Sequence, residues 1–167
     1  MPIYKTVECD VLVIGGGVGG LGAAIKARDY ADKVVLVDKA MVGRGGSSPF
    51  VNSMWLTKFP EEDSEVYMRE IIDRGEFLCD QEWVKTYLDM VHPLSMELEQ
   101  WGRQYGKQVF EKDDKGNYLH RQLVGNINTW ANVYNSIPAL DTLKREAKKR
   151  GVIFVERTIV TDLAICD

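Results

Sequence analysis

Apolar positions along this chain fall into two patterns, short continuous runs and longer stretches with helical spacing. Glu8 to Ile14 (ECDVLVI) is nearly continuously apolar from Val11, which predicts a strand covered on both faces. Gly15 to Gly20 breaks that run. Leu21, Ala24, Ala27 and Ala31 then recur at helical spacing, predicting a helix over 18–31. VVLV (Val34 to Val37) predicts a second buried strand, so 8–37 reads as a βαβ unit with a right-handed crossover. Residues 39–60, with Gly43, Gly45, Gly46, Ser47, Ser48, Pro49 and Pro60, read as a long loop. An acidic start (Glu61, Glu62, Asp63) followed by Val66, Ile71, Ile72 and Leu78 predicts a helix over 61–78. A second helix is expected over 81–102. Its stripe is Val84, Leu88, Val91, Leu94, Leu98 and Trp101, its stop is Gly102, and Pro93 should kink or divide it. Gln108 to Glu111 and Tyr118 to Gln122 flank the turn sequence DDKG, a hairpin signal, and 123–135 is irregular and Asn-rich. Ser136 reads as an N-cap with Pro138 in the first turn of a helix whose stripe is Leu140, Leu143 and Ala147. Basic residues and Gly151 mark its end. Val152 to Val155 is a third strand and Thr158 to Cys166 a fourth.

At 167 residues the chain is long enough for one domain with a substantial core and short for two. Its formal net charge of −4, without a basic face, counts against a nucleic-acid partner. The longest apolar runs fall well short of the ~20 residues a membrane helix needs, and the first ten residues lack a signal-peptide core. Three cysteines, Cys9, Cys79 and Cys166, without a CxxC, suit a reducing compartment, so the expected location is cytoplasmic. They also argue against a zinc or iron–sulfur site within the chain, and no metal-binding residue is assigned. The chain stops on a strand-like segment at Asp167. Truncation of a longer protein and a natural end on an edge strand are both compatible with that.

The chemistry concentrates in Gly15, Gly16, Gly17, Val18, Gly19 and Gly20, which satisfy G-x-G-x-x-G. Gly15 permits the tight turn out of the strand, Gly17 lets the backbone approach a pyrophosphate, and Gly20 lets the helix pack close to the sheet. The helix N-terminus supplies N–H groups and a positive dipole end. Asp38 ends the second strand and follows Gly15 by 23 positions, close to the ~20 expected of a ribose-binding carboxylate. A glycine-rich turn without a ligand is the alternative, but five glycines in six positions weaken a helix start for no packing gain. Asp38 alone suits NAD as well as FAD. The long Gly/Ser loop and the largely helical stretch that follow fit the layout of an FAD domain with an inserted helical lobe.

DVLVIGGGVGGLGAAIKA, then VVLVDKA, then GRGGSSPFVNS, then ALDTLKREAKKRGVIFVERTIVTDL together resemble the flavoprotein subunit family of fumarate reductase and succinate dehydrogenase. That superfamily also holds the alpha subunit of adenylylsulfate reductase and L-aspartate oxidase. The resemblance spans essentially the whole chain and is poorest over 103–135. It implies that Gly15, Gly17, Gly19 and Gly20 hold the FAD pyrophosphate. It also implies that Asp38 binds the adenosine ribose beside Lys39 and Ala40. By the same resemblance, Gly45, Gly46, Ser47 and Ser48 run along the flavin and the Val160 backbone contacts adenine. Members that attach FAD covalently use a His in the Ser/Gly loop. None lies between Gly43 and Trp55 here, which implies non-covalent FAD. A small-residue run usual after that loop is replaced by Pro49 to Trp55. Phe50 or Trp55 could pack near the flavin, although filling the core is the simpler reading. The Arg and His residues that handle substrate in the family lie several hundred positions further on, so the catalytic residues are unknown. His92 reads as structural, His120 as exposed, and Glu111, Asp113 and Asp114 as turn chemistry.

The expected fold is α/β, a Rossmann-like FAD-binding domain (parallel sheet with crossover helices) with a helical insertion and an incomplete C-terminal side. Its parts are 1–60 (βαβ unit and flavin loop), 61–135 (insertion) and 136–167 (return helix and strands). The expected function is an FAD-dependent oxidoreductase of the fumarate reductase/succinate dehydrogenase type. FAD would pass hydride or electrons between a small-molecule substrate and an electron carrier. The partner would be an iron–sulfur electron-transfer subunit or the missing C-terminal part of the flavoprotein, with no nucleic acid and no direct membrane span. An adenylylsulfate reductase alpha-like flavoprotein, an NAD-dependent dehydrogenase and a non-catalytic cofactor-binding fragment are the alternatives. A chain lacking the family's later strands should expose apolar sheet edge.

Overall fold

In the computed structural model, which describes residues 6–51, 54–123 and 125–164, the elements run in this order: β1 (Val11–Ile14), α1 (Val18–Ala27), β2 (Val34–Val37), a 3-10 turn (Ser48–Phe50), β3 (Met54–Leu56), α2 (Ser64–Arg74), α3 (Gln81–Gln104), β4 (His120–Arg121), β5 (Ala131–Val133), α4 (Ser136–Lys149) and β6 (Ile153–Val155). They form two units. One comprises the described residues within Met1–Phe50 and Leu140–Asp167, the other those within Val51–Ala139.

The first unit is a parallel sheet of order β1-β2-β6. Val11 to Ile14 pair with Val34 to Val37, and Val35 to Val37 pair with Ile153 to Val155. All four β2 residues are buried, as a central strand with no polar side chain requires. α1 packs on β1 and β2 and buries Leu21, Ala24 and Ile25. α4 buries Leu140, Leu143 and Ala147, its expected stripe. Gly151 at φ +81 closes α4, with its N–H donated to Lys148 O and the Val152 N–H to Ala147 O.

Several expectations for this unit need correction. β1 starts at Val11, because the Asp10 N–H donates to Lys33 O and the Asp10 carboxylate accepts the Lys33 N–H, closing the ladder there. The strand is not covered on both faces: Leu12 is 45% and Ile14 51% exposed, and as alternate residues they share one face, opposite Val11 and Val13. α1 stops at Ala27 and not at residue 31, and the Arg28 side chain reaches forward to donate to Ala31 O at 2.5 Å and to Asp32 O. The fourth strand is absent over 158–164, and Cys166 lies outside the described residues. Arg157 takes φ +56, the left-handed region, and the chain leaves the sheet there.

The second unit holds an antiparallel sheet of order β3-β5-β4 beside α2 and α3. Tyr67, Val84 and Leu88 form its core cluster with Leu56, Met68, Ile71 and Cys79 packed against it. Asp63 and Asp80 cap the two helices, accepting N–H groups from Glu65 and from Glu82 and Trp83. α2 therefore begins at Ser64, ends at Arg74, and leaves Val66 and Leu78 exposed. α3 is one helix: Pro93 does not divide it, because Val91 and Ser95 on either side are buried. Leu94 faces solvent, and Gly102 is interior to α3, where a Cβ would come 2.6 Å from Val109 Cγ2. The DDKG turn forms as expected. Gly116 donates to Asp113 O, Asp113 to Asn117 O and Leu119 to Glu111 O.

Two strands lie in segments expected to be irregular. β3 sits inside the 39–60 loop and β5, the central strand, inside 123–135. α4 begins one residue early. The Asn135 carbonyl already accepts the Ala139 N–H, while its side chain donates to Gln108 O and Glu111 Oε1, so Ser136 is the first helical residue rather than the cap.

Glu99 on α3 is 7% exposed and accepts from Lys112 at 2.6 Å, from Arg103 at 2.7 Å and from the Tyr118 hydroxyl. Burial pushes its carboxyl up, but Lys112, Tyr118 and Arg103 together outweigh that and hold it below the usual carboxylate range. A depressed carboxyl adds stability above its unfolded pKa and loses it as pH falls through the folded one. Glu99→Gln should therefore cost about 1–3 kcal/mol near neutral pH. The variant and wild type should converge in acid, as urea unfolding across pH will read.

Candidate functional site

The turn after β1 is built by glycine at the points where the backbone needs it. Gly15 takes φ +104 while its N–H donates to Val37 O at 2.8 Å. A Cβ on Gly20 would collide with the Gly15 carbonyl oxygen, so the third motif glycine is what lets α1 start this close to β1. At Gly16 a Cβ would lie 2.7 Å from Asp38 Oδ2 and 3.1 Å from Val42 Cα, and at Gly17 2.8 Å from Ser48 Oγ. Gly19 has nothing within 4 Å of such an atom, so it is not sterically required.

Asp38 is 8% exposed at the end of β2. Its Oδ2 accepts the Gly16 N–H at 2.5 Å and its Oδ1 the Ala40 N–H at 2.6 Å. Its own N–H donates to Val155 O, and its carbonyl accepts the Thr158 N–H at 2.9 Å. The carboxylate thus ties the glycine turn to the start of the next loop and keeps its remaining lone pairs for a ligand. At α1, Gly17 caps the helix with no side-chain bond, and no acid lies in the first turn. The Val18 N–H donates to Ser48 Oγ at 3.2 Å. An acid-free N-terminus whose cap residue has no side chain is a place for an anion.

These groups line one cleft of about 460 Å³ at the C-terminal ends of β1 and β2, within the usual size of small-molecule sites. Gly15, Gly16, Gly17, Asp38, Lys39, Gly45, Gly46, Ser47, Ser48 and Val160 line it together. Val18, Gly19, Gly20 and Ala40 lie beside it and not on its wall. Ile14, Val37, Thr158 and Ile159, outside the sequence motifs, complete the wall. Ile14 and Val37 could have been found from the rule that ligands bind past the carboxyl ends of parallel strands. Thr158 and Ile159 carry no local signal, since pairing of β6 with β2 brings them there.

Other candidate residues are settled by their surroundings. Phe50 is 82% exposed and fills no core. Trp55 packs edge-on against Tyr134 at 5.2 Å and Phe110 at 6.3 Å, so it is a packing residue of the second unit. Asn52 and Ser53 lie outside the described residues. His92 is half-buried with its ring 5.3 Å from Phe59, and His120 is exposed. A separate cleft of about 530 Å³ on the second unit is lined by charged residues of and beside α2, Asp63, Arg69 and Glu70 among them, and by Gly125.

The sequence profile of the FAD binding domain family matches residues 10–167. A fumarate reductase (CoM/CoB) subunit of Methanothermobacter marburgensis is 23% identical over 168 aligned residues, covering 96% of this chain and 30% of that protein. The 8-methylmenaquinol:fumarate reductase flavoprotein subunit of Wolinella succinogenes is 31% identical over 112 residues, covering 65% of this chain and 18% of that protein. A solved quinol–fumarate reductase with menaquinol molecules shares the fold at a TM-score of 0.82 and 19% identity, over 98% of this chain and 29% of that one. The chain spans less than a third of the length of each of these three proteins.

The cleft geometry separates two neighbouring glycines. Gly20→Ala should lose about 1–3 kcal/mol through overpacking against the Gly15 carbonyl. Gly19→Ala, in open space within a helix, should gain up to about 1 kcal/mol. Thermal unfolding of the pair checks the turn without any ligand.

Proposed function

Since the chain belongs to the FAD-binding domain family, we propose that it is the FAD-binding region of an oxidoreductase flavoprotein of the fumarate reductase/succinate dehydrogenase type. The observation that carries the reading is the cleft in which Asp38, the Gly15–Gly17 turn, the Gly45–Ser48 loop and Val160 share one wall. The cradle fits a dinucleotide. Side chains at Gly16 and Gly17 would strike Asp38 and Ser48, so the backbone itself is the surface offered to a ligand.

In this reading the first-turn amides of α1, over Gly17, Gly19 and Gly20, hold the pyrophosphate, with the Ser48 hydroxyl beside them at Val18. The Gly16 N–H is committed to Asp38 and serves the carboxylate instead. Asp38 accepts from the adenosine ribose, where a 2′-phosphate would be repelled, and Lys39 and Ala40 shape the same end. Gly45, Gly46, Ser47 and Ser48 line the path of the flavin, and the Val160 backbone meets adenine. FAD, when bound, supplies hydride and electron transfer. The protein's part here is to bind and orient it. The sequence 43–55 contains no His, which supports a non-covalent cofactor.

The substrate is a small molecule handled outside this region. The electron partner is an iron–sulfur protein, or further polypeptide of the kind the longer relatives carry. Among the described residues no helix is long and apolar enough to cross a membrane. Cys9 and Cys79 are free thiols, which supports a cytoplasmic location. The insertion expected over 61–135 falls within the second unit, Val51–Ala139, which interrupts the cofactor-binding unit in sequence.

Heat-denatured protein should release FAD, identified by absorbance and mass, and the apo chain should rebind it with quenching of flavin fluorescence. Asp38→Asn faces one backbone N–H with an amide donor and should raise the FAD Kd about tenfold or more. An unchanged Kd, or release of NAD or of no adenine compound, would overturn the reading.

A further inference from the structure

We infer that Glu156 and Lys144 are positioning residues, a latch that registers the 39–46 loop on the glycine-rich turn and thereby shapes the FAD cleft. The inference rests on the FAD reading above and adds residues outside the cleft wall. Glu156 directly follows β6 and Lys144 lies on α4. Glu156 Oε1 accepts the Val42 N–H at 2.9 Å and the Lys144 ammonium at 2.8 Å. The same ammonium donates to the Val42 carbonyl at 3.1 Å. One ion pair therefore satisfies both backbone polar groups of Val42, which is fully buried.

Val42 is where the loop touches the turn. A Cβ on Gly16 would come 3.1 Å from its Cα, and the Gly43 N–H donates to Gly16 O at 2.9 Å. Gly43 sits at φ +76, a conformation that glycine adopts freely and most L residues avoid, so a glycine stands where the loop meets the turn. From Val42 the chain runs within four residues to Gly45 and Gly46 on the cleft wall. A pair exposed to solvent at both ends contributes little by itself. This one differs because its partner is buried backbone, which would otherwise lack a donor and an acceptor. The Glu156 carboxyl is held below its ordinary range, mainly by Lys144.

Two readouts test the latch. In the FAD-free chain, Glu156→Ala should speed amide hydrogen exchange across 41–47 by about tenfold or more while α1 and β2 keep their protection. It should also raise the FAD Kd by about tenfold or more, with altered visible circular dichroism of the flavin that remains bound. Glu156→Gln keeps an acceptor for the Val42 N–H and should recover most of that loss. Lys144→Met, which preserves the acceptor and the side-chain stem, should show an intermediate effect and carries the test if the alanine variant does not fold. Unchanged exchange over 41–47 in these variants overturns the latch. Faster exchange there with wild-type FAD affinity and spectrum overturns its role in shaping the cleft. A wild-type chain that does not bind FAD sinks the cofactor reading instead, and the exchange comparison, made without FAD, still decides the latch.

Discussion

The carboxylate of Asp38 organises this molecule. It stands where β2 ends, with one oxygen on the Gly16 amide and the other on the Ala40 amide, and its own peptide group bonds to Val155 and Thr158. Three segments far apart in sequence are thus referred to one residue: the turn after β1, the loop after β2 and the chain after β6. A nearly buried carboxylate is tolerable only when charge-assisted bonds replace its water, and these backbone donors do so. The Val42–Glu156 contact and the bond from the Gly43 N–H to Gly16 O join the same three segments a second time.

Around that point the unit holds its geometry by absence as much as by contact. Glycine is needed at Gly20, where the Gly15 carbonyl occupies the space a side chain would take, and at Gly16, between Asp38 and the Val42 backbone, whereas at Gly17 only the Ser48 hydroxyl would have to move. Gly19 shows that the motif is not uniform, since it faces open space. The second unit solves its problem differently, by side-chain packing around Tyr67, Val84 and Leu88 and by the Glu99 cluster.

Local spacing made β2 and the first cleft residues legible in the sequence. VVLV has no polar position, and the strand–glycine–helix order with Asp38 at its end is decided within thirty or so residues. What escaped was decided elsewhere in the chain. β5 is three residues, Ala131–Val133, in an Asn-rich stretch, and becomes a strand only because β3 and β4 flank it. β3 was hidden by the Gly, Ser and Pro around it. Pro93 reads as a breaker, yet burial on both sides carries the helix through. Thr158, Ile159 and the Lys144–Glu156 pair reach the site through the β6–β2 register, which no window of sequence displays. Arg157 ended the expected fourth strand by its backbone conformation, and nothing in its side-chain type announces that.

The parallel pairing of Val35 with Ile153 bears on how the protein is made. β1, α1 and β2 leave the ribosome well before the strand that completes their sheet. At about 5–20 residues per second, the intervening chain takes on the order of ten seconds to synthesise. Through that interval the β2 edge offers an unpaired row of peptide groups on a strand of pure Val and Leu, the type of surface that captures other nascent chains. Closing so long a loop is entropically slow as well. Nascent-chain guardianship during translation, rather than the endurance of the finished fold, is where a protein of this topology is most vulnerable.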